Sequence, residues 1–305
     1  MLVSGKKLLD KANRENYAVG AFNFLNMEVL QAIMQAAKET KSPVIIATSE
    51  GAIKYAGMSF LHSLAKAAAE EYRDIPIALH VDHGKDLGLI KAAVDKGWTS
   101  VMYDGSGLSY EENVKNTKEI VRYCRWRGVS VEAELGVLAG VEDDVSATEN
   151  KYTDPAQAVD FVKKTGCYSL AIAIGTSHGA FKFKGESKID IERLKLIKGK
   201  LKMPIVLHGA SGVYKDMVAI ATKYGAKLEG AAGVSDEMIS QAVKNGINKV
   251  NCDTDLRIAF MAGIRQSFKE NPKEIDLRSF LGNGKKLVYE IVKRRMVLFG
   301  SAGKA

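Results

Sequence analysis

The 305-residue chain is poor in proline and cysteine, and both shortages restrict what it can be. Five prolines and no polar low-complexity run leave no candidate for a long linker, so a single domain over 1–305 is expected. The three cysteines, Cys124, Cys167 and Cys252, are odd in number and widely spaced. They fit neither a disulfide framework nor zinc-finger spacing and read as reduced core thiols. No apolar run is long enough to span a bilayer. The N-terminus, Met1-Leu-Val-Ser4-Gly-Lys, lacks a hydrophobic signal core and a small-residue cleavage site. It reads as a short amphipathic helix capped by Ser4, and a cytoplasmic location is expected. The formal net charge is +8, but the lysines are scattered at helix-face spacing and no basic cluster alternates with aromatic residues. Nucleic acid is therefore not an expected partner. The one dense run, Lys293-Arg294-Arg295, falls in a helical pattern and reads as a solvated helix end. The positive balance suits a small anionic metabolite.

What the chain does have is alternation. Short apolar runs fall at 18–23, 43–48, 76–82, 98–103, 129–134, 169–175, 204–208 and 248–252. Stretches with helical periodicity lie between them, at 26–40, 57–72, 86–96, 110–127, 154–165, 190–199, 214–224 and 235–245. Nearly continuous apolar strands separated by helices predict a parallel sheet covered by helices. Eight such units in about 250 residues match an α/β fold of the (β/α)8 TIM-barrel type. The remainder, 256–302, reads as two or three extra C-terminal helices.

In such a barrel the active site lies at the C-terminal ends of the strands. Asn23, Ser49, Asp82, His83, Asp104, Glu134, His178, His208 and Asp253 all fall at or just past predicted strand ends. Only five histidines are present. Three of them, His83, His178 and His208, occupy equivalent positions, each followed by glycine. Three imidazoles with a fourth position left open are a natural zinc site for chemistry. His80 shares a strand face with Asp82 by period two and reads as structural. His62 falls on a helix. Asp82, beside an imidazole at a strand end, reads as a proton-transfer residue rather than a group that orients a ligand, because three imidazoles already complete the protein's share of the metal site. Glu134 is a candidate alternate metal ligand, and Asp104 a candidate carboxylate behind the ligands.

After Val131-Glu-Ala-Glu134 the pattern breaks into a long acidic loop with glycines, the kind that serves as a lid and carries an acid to bound substrate. Asp143 and Asp144 read as solvated. The runs Gly175-Thr-Ser-His178-Gly179, His208-Gly-Ala-Ser211-Gly212 and Asn251-Cys-Asp253-Thr254 converge where barrels commonly hold phosphate. Lys182 and Arg257 lie near enough to add charge.

These segments resemble the class II, zinc-dependent fructose-bisphosphate aldolase family over nearly the whole chain. The resemblance is carried by Ala21-Phe22-Asn23, His80-Val-Asp-His83, Tyr103-Asp-Gly-Ser106, Val131-Glu-Ala-Glu134-Leu-Gly, Ala173-Ile-Gly-Thr-Ser-His178-Gly, Leu207-His-Gly-Ala-Ser211-Gly and Asn251-Cys-Asp-Thr-Asp255. It implies reversible aldol cleavage of fructose 1,6-bisphosphate to dihydroxyacetone phosphate and glyceraldehyde 3-phosphate. It implies one Zn2+ on His83, His178 and His208, and a monovalent cation, Na+ or K+, near a phosphate. Asp82 is then the residue that moves the C4 hydroxyl proton, and Glu142, on the loop, exchanges the proton at C3. Gly179, Lys182, Gly209, Ser211, Asn251, Asp253 and Thr254 resemble the positions that hold the dihydroxyacetone-phosphate half, and Asn23 belongs to the same mouth. Ser49 and Arg278 resemble groups near the distal phosphate, Arg278 reaching it from a neighbouring subunit of a homodimer or homotetramer. A metal takes the place of a Schiff-base lysine here, and no lysine is expected at the centre of an apolar strand. Asp253 with Arg257 points to fructose over tagatose 1,6-bisphosphate, the close rival substrate. A non-catalytic phosphosugar-binding barrel is the remote alternative.

Overall fold

The computed structural model describes residues 2–138, 140–142, 145–147, 151–177, 179, 188–228 and 230–305, with the backbone alone in 140–142 and 145–147. Eight strands close into a parallel barrel: β1 (Val19–Asn23), β2 (Val44–Ser49), β3 (Ile77–Gly84), β4 (Ser100–Tyr103), β5 (Ser130–Leu135), β6 (Ser169–Ile172), β7 (Ile205–Leu207) and β8 (Ile247–Cys252). Each pairs with its neighbours in sequence, and β8 returns to β1 in the register Val19↔Lys249 to Phe22↔Cys252. The barrel predicted from the alternation is the barrel observed.

Several helices begin where the sequence supplies a side-chain acceptor. Asn26 Oδ1 accepts from Val29 N at 3.1 Å to start Met27–Thr40. Ser109 and Glu112 form a reciprocal capping box at the start of Tyr110–Cys124. Helices Leu87–Lys96 and Pro155–Thr165 end on Gly97 and Gly166 in the left-handed conformation. Two differences from the expected pattern have local causes. The stretches 214–224 and 235–245 become two helices, Lys215–Lys223 and Asp236–Lys244, that both precede β8. The helix paired with β8 is therefore Thr254–Glu270, the first of the two C-terminal helices; Leu277–Leu298 is the second. Strand β6 ends at Ile172 rather than 175, because Ala173 turns to bond with Thr153: its N–H donates to Oγ1 at 2.8 Å and its carbonyl accepts from Thr153 N at 3.0 Å.

Alternation along each strand sorts the side chains. Phe22, Ile46, Leu79, Val101, Val131, Ala133, Leu207 and Val250 belong to the large core beneath the helices. Val19, Ala21, Ile45 and Ala78 form a separate cluster inside the barrel with Leu8, Leu9 and Ala12 of the N-terminal helix Gly5–Glu15. That helix closes the N-terminal end. Above this apolar layer lies a charged one. Lys249, fully buried in β8, binds both oxygens of Glu132 in β5 at 2.8 and 3.0 Å, and its Nζ lies 3.2 Å from His80 Nε2. The expectation of no lysine within a barrel strand is wrong: period two put Lys249 on the interior face, and a carboxylate across the barrel neutralises it. Arg295 is also fully buried, not a solvated helix end. His62 is half-buried, its ring 5.9 Å from that of Trp98. The three cysteines are buried. No helix among the described residues is long and apolar enough to cross a membrane.

Candidate functional site

Strand β3 delivers two adjacent residues to one place, which strict alternation forbids. Asp82 faces inward with His80, so His83 should face out. The β3–β4 register shifts between Val81 and Gly84, and His83 sits at φ +48°. A bulge and a left-handed residue together turn the imidazole back over the mouth. A non-glycine residue held there is strained, and such strain persists where the surroundings over-determine it. Glu50 supplies part of that hold: its Oε1 accepts from the N–H groups of Lys85 and Asp86, both at 2.6 Å.

Asp82, His83 and His208 each place a ligand atom within 4.8 Å of the others, and His83, Asp104 and Glu134 do the same. The rings of His83 and His208 lie 4.5 Å apart at 62°. His83 Nδ1 bonds Asp104 Oδ2 at 2.9 Å; a carboxylate can only accept, so that nitrogen carries the hydrogen and Nε2 is left for a metal. Ser106 secures the far oxygen of Asp104 through its N–H at 3.1 Å and its hydroxyl at 2.6 Å. His208, just past β7 and fully buried, lies between two carboxylates, Nε2 on Glu132 at 2.9 Å and Nδ1 on Glu134 at 3.0 Å.

The electrostatics point the same way. Burial alone would depress His83, but Asp82, then Asp104 and Glu134, push it up to about 10. Burial and the neighbouring His83 ring oppose protonation of His208, yet its bonds to Glu132 and Glu134 raise it. Burial would raise Asp82; the adjacent His83, then Lys249, hold it well below the usual carboxylate range instead. Glu132 is brought down to about 2, its burial outweighed by Lys249 and the bond from His208. Among the described residues, four buried carboxylates meet one buried ammonium. Two imidazoles in that field take up protons, and a divalent ion satisfies the same field with the rings neutral. The donor set thus fits a metal.

Asp82 is held by two amides, Asn251 Nδ2 on one oxygen at 2.7 Å and Asn23 Nδ2 on the other at 3.0 Å. The amide oxygens of Asn23 and Asn251 are buried with no hydrogen-bond partner among the described residues. Unpaired buried acceptors are costly, and hydroxyl donors of a ligand would satisfy them. Asn23, Ser49, Asp253 and Arg257 line one cavity of about 510 Å³ together with Asn26, Arg265 and apolar residues such as Phe24 and Phe260. Ser49 Oγ also accepts from Ala52 N at 3.2 Å to cap the short helix Glu50–Ala56. Arg257 pairs with Asp253 at 2.8 Å.

Of the phosphate candidates, Gly209 (φ +61°) has no room for a side chain, since a Cβ would lie 2.6 Å from the Ser177 carbonyl oxygen. Ser211 and Thr254 are buried, and Gly179 is half-buried at φ +85°. Arg278 is exposed and bonds Asp276, its Nη2 at 2.6 Å from Oδ2. Glu142 ends the first strand of an antiparallel hairpin, Gly140–Glu142 with Val145–Ala147, where a plain loop is expected; its side chain lies outside the described residues. His178, Lys182, Asp143 and Asp144 lie outside them altogether. Sequence reasoning missed Glu132, Lys249 and Glu50. The first two carried a signal: each stands two residues before a candidate, Glu134 and Asn251, and so on the same strand face.

A family model described as fructose-bisphosphate aldolase class-II matches residues 3–304. A fructose-bisphosphate aldolase of Helicobacter pylori is 48% identical over 306 residues, covering both chains completely. One from Thermus caldophilus is 48% identical over 307 residues with the same coverage. The crystal structure of the YdjI aldolase from Escherichia coli K12 superposes with a TM-score of 0.80 at 33% identity, covering all of both chains.

Proposed function

The chain belongs to the class II fructose-bisphosphate aldolase family, and from that premise we propose how its residues carry out metal-dependent, reversible cleavage of fructose 1,6-bisphosphate. The observation that carries the reading is the meeting of Asp82, His83 and His208 within 4.8 Å at the barrel mouth. We assign the divalent ion to His83, His178 and His208, with zinc as its identity, Glu134 as an alternate ligand and Asp104 and Glu132 as the carboxylates that orient the rings. When bound, the metal polarises the substrate ketone and stabilises the negative charge that cleavage leaves beside it.

The remaining work belongs to side chains. Asp82, ionised and steadied by Asn23 and Asn251, takes the proton of the C4 hydroxyl. As that proton leaves, the C4–O bond becomes the aldehyde carbonyl, the C3–C4 bond breaks and its electron pair stays with C3. Glu142 then delivers a proton to C3. The orphan amide oxygens of Asn23 and Asn251 accept from sugar hydroxyls. Gly179, Lys182, Gly209, Ser211, Asp253 and Thr254 take the phosphate of the dihydroxyacetone half, with Na+ or K+ beside it. Ser49 and Arg257 face the other end, joined by Arg278 of a second subunit in a homodimer or homotetramer. Residues 1–305 act as one domain, in the cytoplasm. A cleavage assay with and without a chelator tests the assignment: turnover lost on metal removal and restored by zinc supports it, and turnover indifferent to the chelator contradicts it.

A further inference from the structure

The loop after β7 is held from behind by a buried ion pair that the chemistry above does not use. Asp255, in the first turn of Thr254–Glu270, accepts from the N–H of Gly212 at 3.0 Å and of Val213 at 2.7 Å. Arg295, from the second C-terminal helix, donates Nε and Nη2 to Oδ2 of the same carboxylate at 3.1 and 2.7 Å. Its Nη2 also reaches the Ala210 carbonyl at 3.3 Å. Both side chains are fully buried. The segment has no slack. Val213 is held at φ +48°, a Cβ on Gly212 would lie 2.6 Å from Arg295 Nη2, and one on Gly233 would lie 2.3 Å from the Ser211 carbonyl oxygen. The Ser211 carbonyl in turn accepts from Val234 N at 3.1 Å.

An ion pair removed from water is a poor source of stability, because desolvation offsets most of its attraction. What this pair does is fix backbone: it ties two amides and one carbonyl of a single loop to two helices from the other end of the chain. We propose that Asp255 and Arg295 are positioning residues that set the Gly209–Gly212 backbone for the substrate phosphate. This rests on the reading of that loop as a phosphate site. Neither residue touches the substrate; they act by holding the loop in its binding shape beforehand, so that substrate need not order it.

The test compares Asp255→Asn with the wild-type holoenzyme. Losing the charge from the strut should raise KM for fructose 1,6-bisphosphate at least ~10-fold while kcat changes by less than about 3-fold, the pattern of lost binding rather than lost chemistry. Zinc uptake by the metal-free protein should be unchanged. In the wild type without substrate, the amides of Gly212 and Val213 should exchange with deuterium slowly. An unchanged KM in a folded variant overturns the proposal, as does zinc affinity falling as KM rises, or rapid exchange at those amides. If Asp255→Asn does not fold, Arg295→Lys carries the same KM test, since an ammonium keeps the charge but not the planar fork that reaches carboxylate and carbonyl together. Loss of chelator-sensitive turnover in the wild type would instead defeat the parent assignment, so the two failures are distinguishable.

Discussion

Asp82 is fixed before substrate arrives: two asparagine amides hold its oxygens and a buried cationic neighbourhood keeps it ionised. Removing it should leave the imidazoles in place. Asp82→Ala is expected to bind metal normally and lose roughly 10²- to 10⁴-fold in kcat, the usual worth of a positioned proton-transfer group; near-normal turnover at full metal content would remove Asp82 from that role. His80 makes a separate prediction about stability. Burial, then the Lys249 ammonium, push it down to about 3 from an ordinary 6.5. Below 6.5 the unfolded chain's imidazole binds a proton that the folded one refuses until about 3, so stability present above 6.5 is lost as pH falls through that window. Denaturant midpoints of the metal-free protein measured from pH 7 to 4 should fall less steeply for His80→Gln than for the wild type. Parallel curves would show that His80 titrates as in the unfolded chain.

At the scale of elements, the proposed metal site depends on the bulge at the end of β3. Glu50 pins the turn that follows it through two backbone N–H groups at 2.6 Å. Glu50→Ala should therefore loosen His83 without touching it, and metal affinity, measured by competition with a chromophoric chelator, should fall roughly tenfold, the lower end for residues that support metal ligands from behind. Unchanged affinity would mean that the left-handed turn at His83 holds itself. This element also shows what the sequence exposed and what it hid. The apolar run ending in Asp82-His83 announced strand and candidate site together, as the run before His208 did, because a barrel strand buried outside and functional at its tip has a strong signature. Which way His83 points was not legible: period two aims it outward, and only pairing with β4 reveals the bulge. Glu132 and Lys249 shared a strand face with candidate residues, but their pairing was hidden for another reason. A charge within a barrel strand is stable only when a partner from another strand meets it, and those partners stand 117 residues apart. Arg295 was hidden similarly, since its helical surroundings look amphipathic whether or not Asp255 waits beneath.

For the whole molecule, the closed barrel explains how residues from 23 to 257 converge on one mouth, while Arg278 lies exposed and paired with Asp276. If Arg278 completes the distal phosphate site of a second subunit, Arg278→Ala should raise KM with metal content unchanged. Mixing inactive Asp82→Ala subunits with impaired Arg278→Ala subunits should then recover activity, because some sites receive both wild-type residues. No recovery on mixing would confine Arg278 to its own surface pair with Asp276.

The most direct test of the account is the position of the metal itself. Anomalous scattering at the zinc edge from crystals of zinc-loaded protein should give one peak per subunit at the barrel mouth, within bonding distance of His83, His178 and His208 together. A peak elsewhere, or one that any of those three imidazoles fails to reach in every state of the enzyme, would contradict the account.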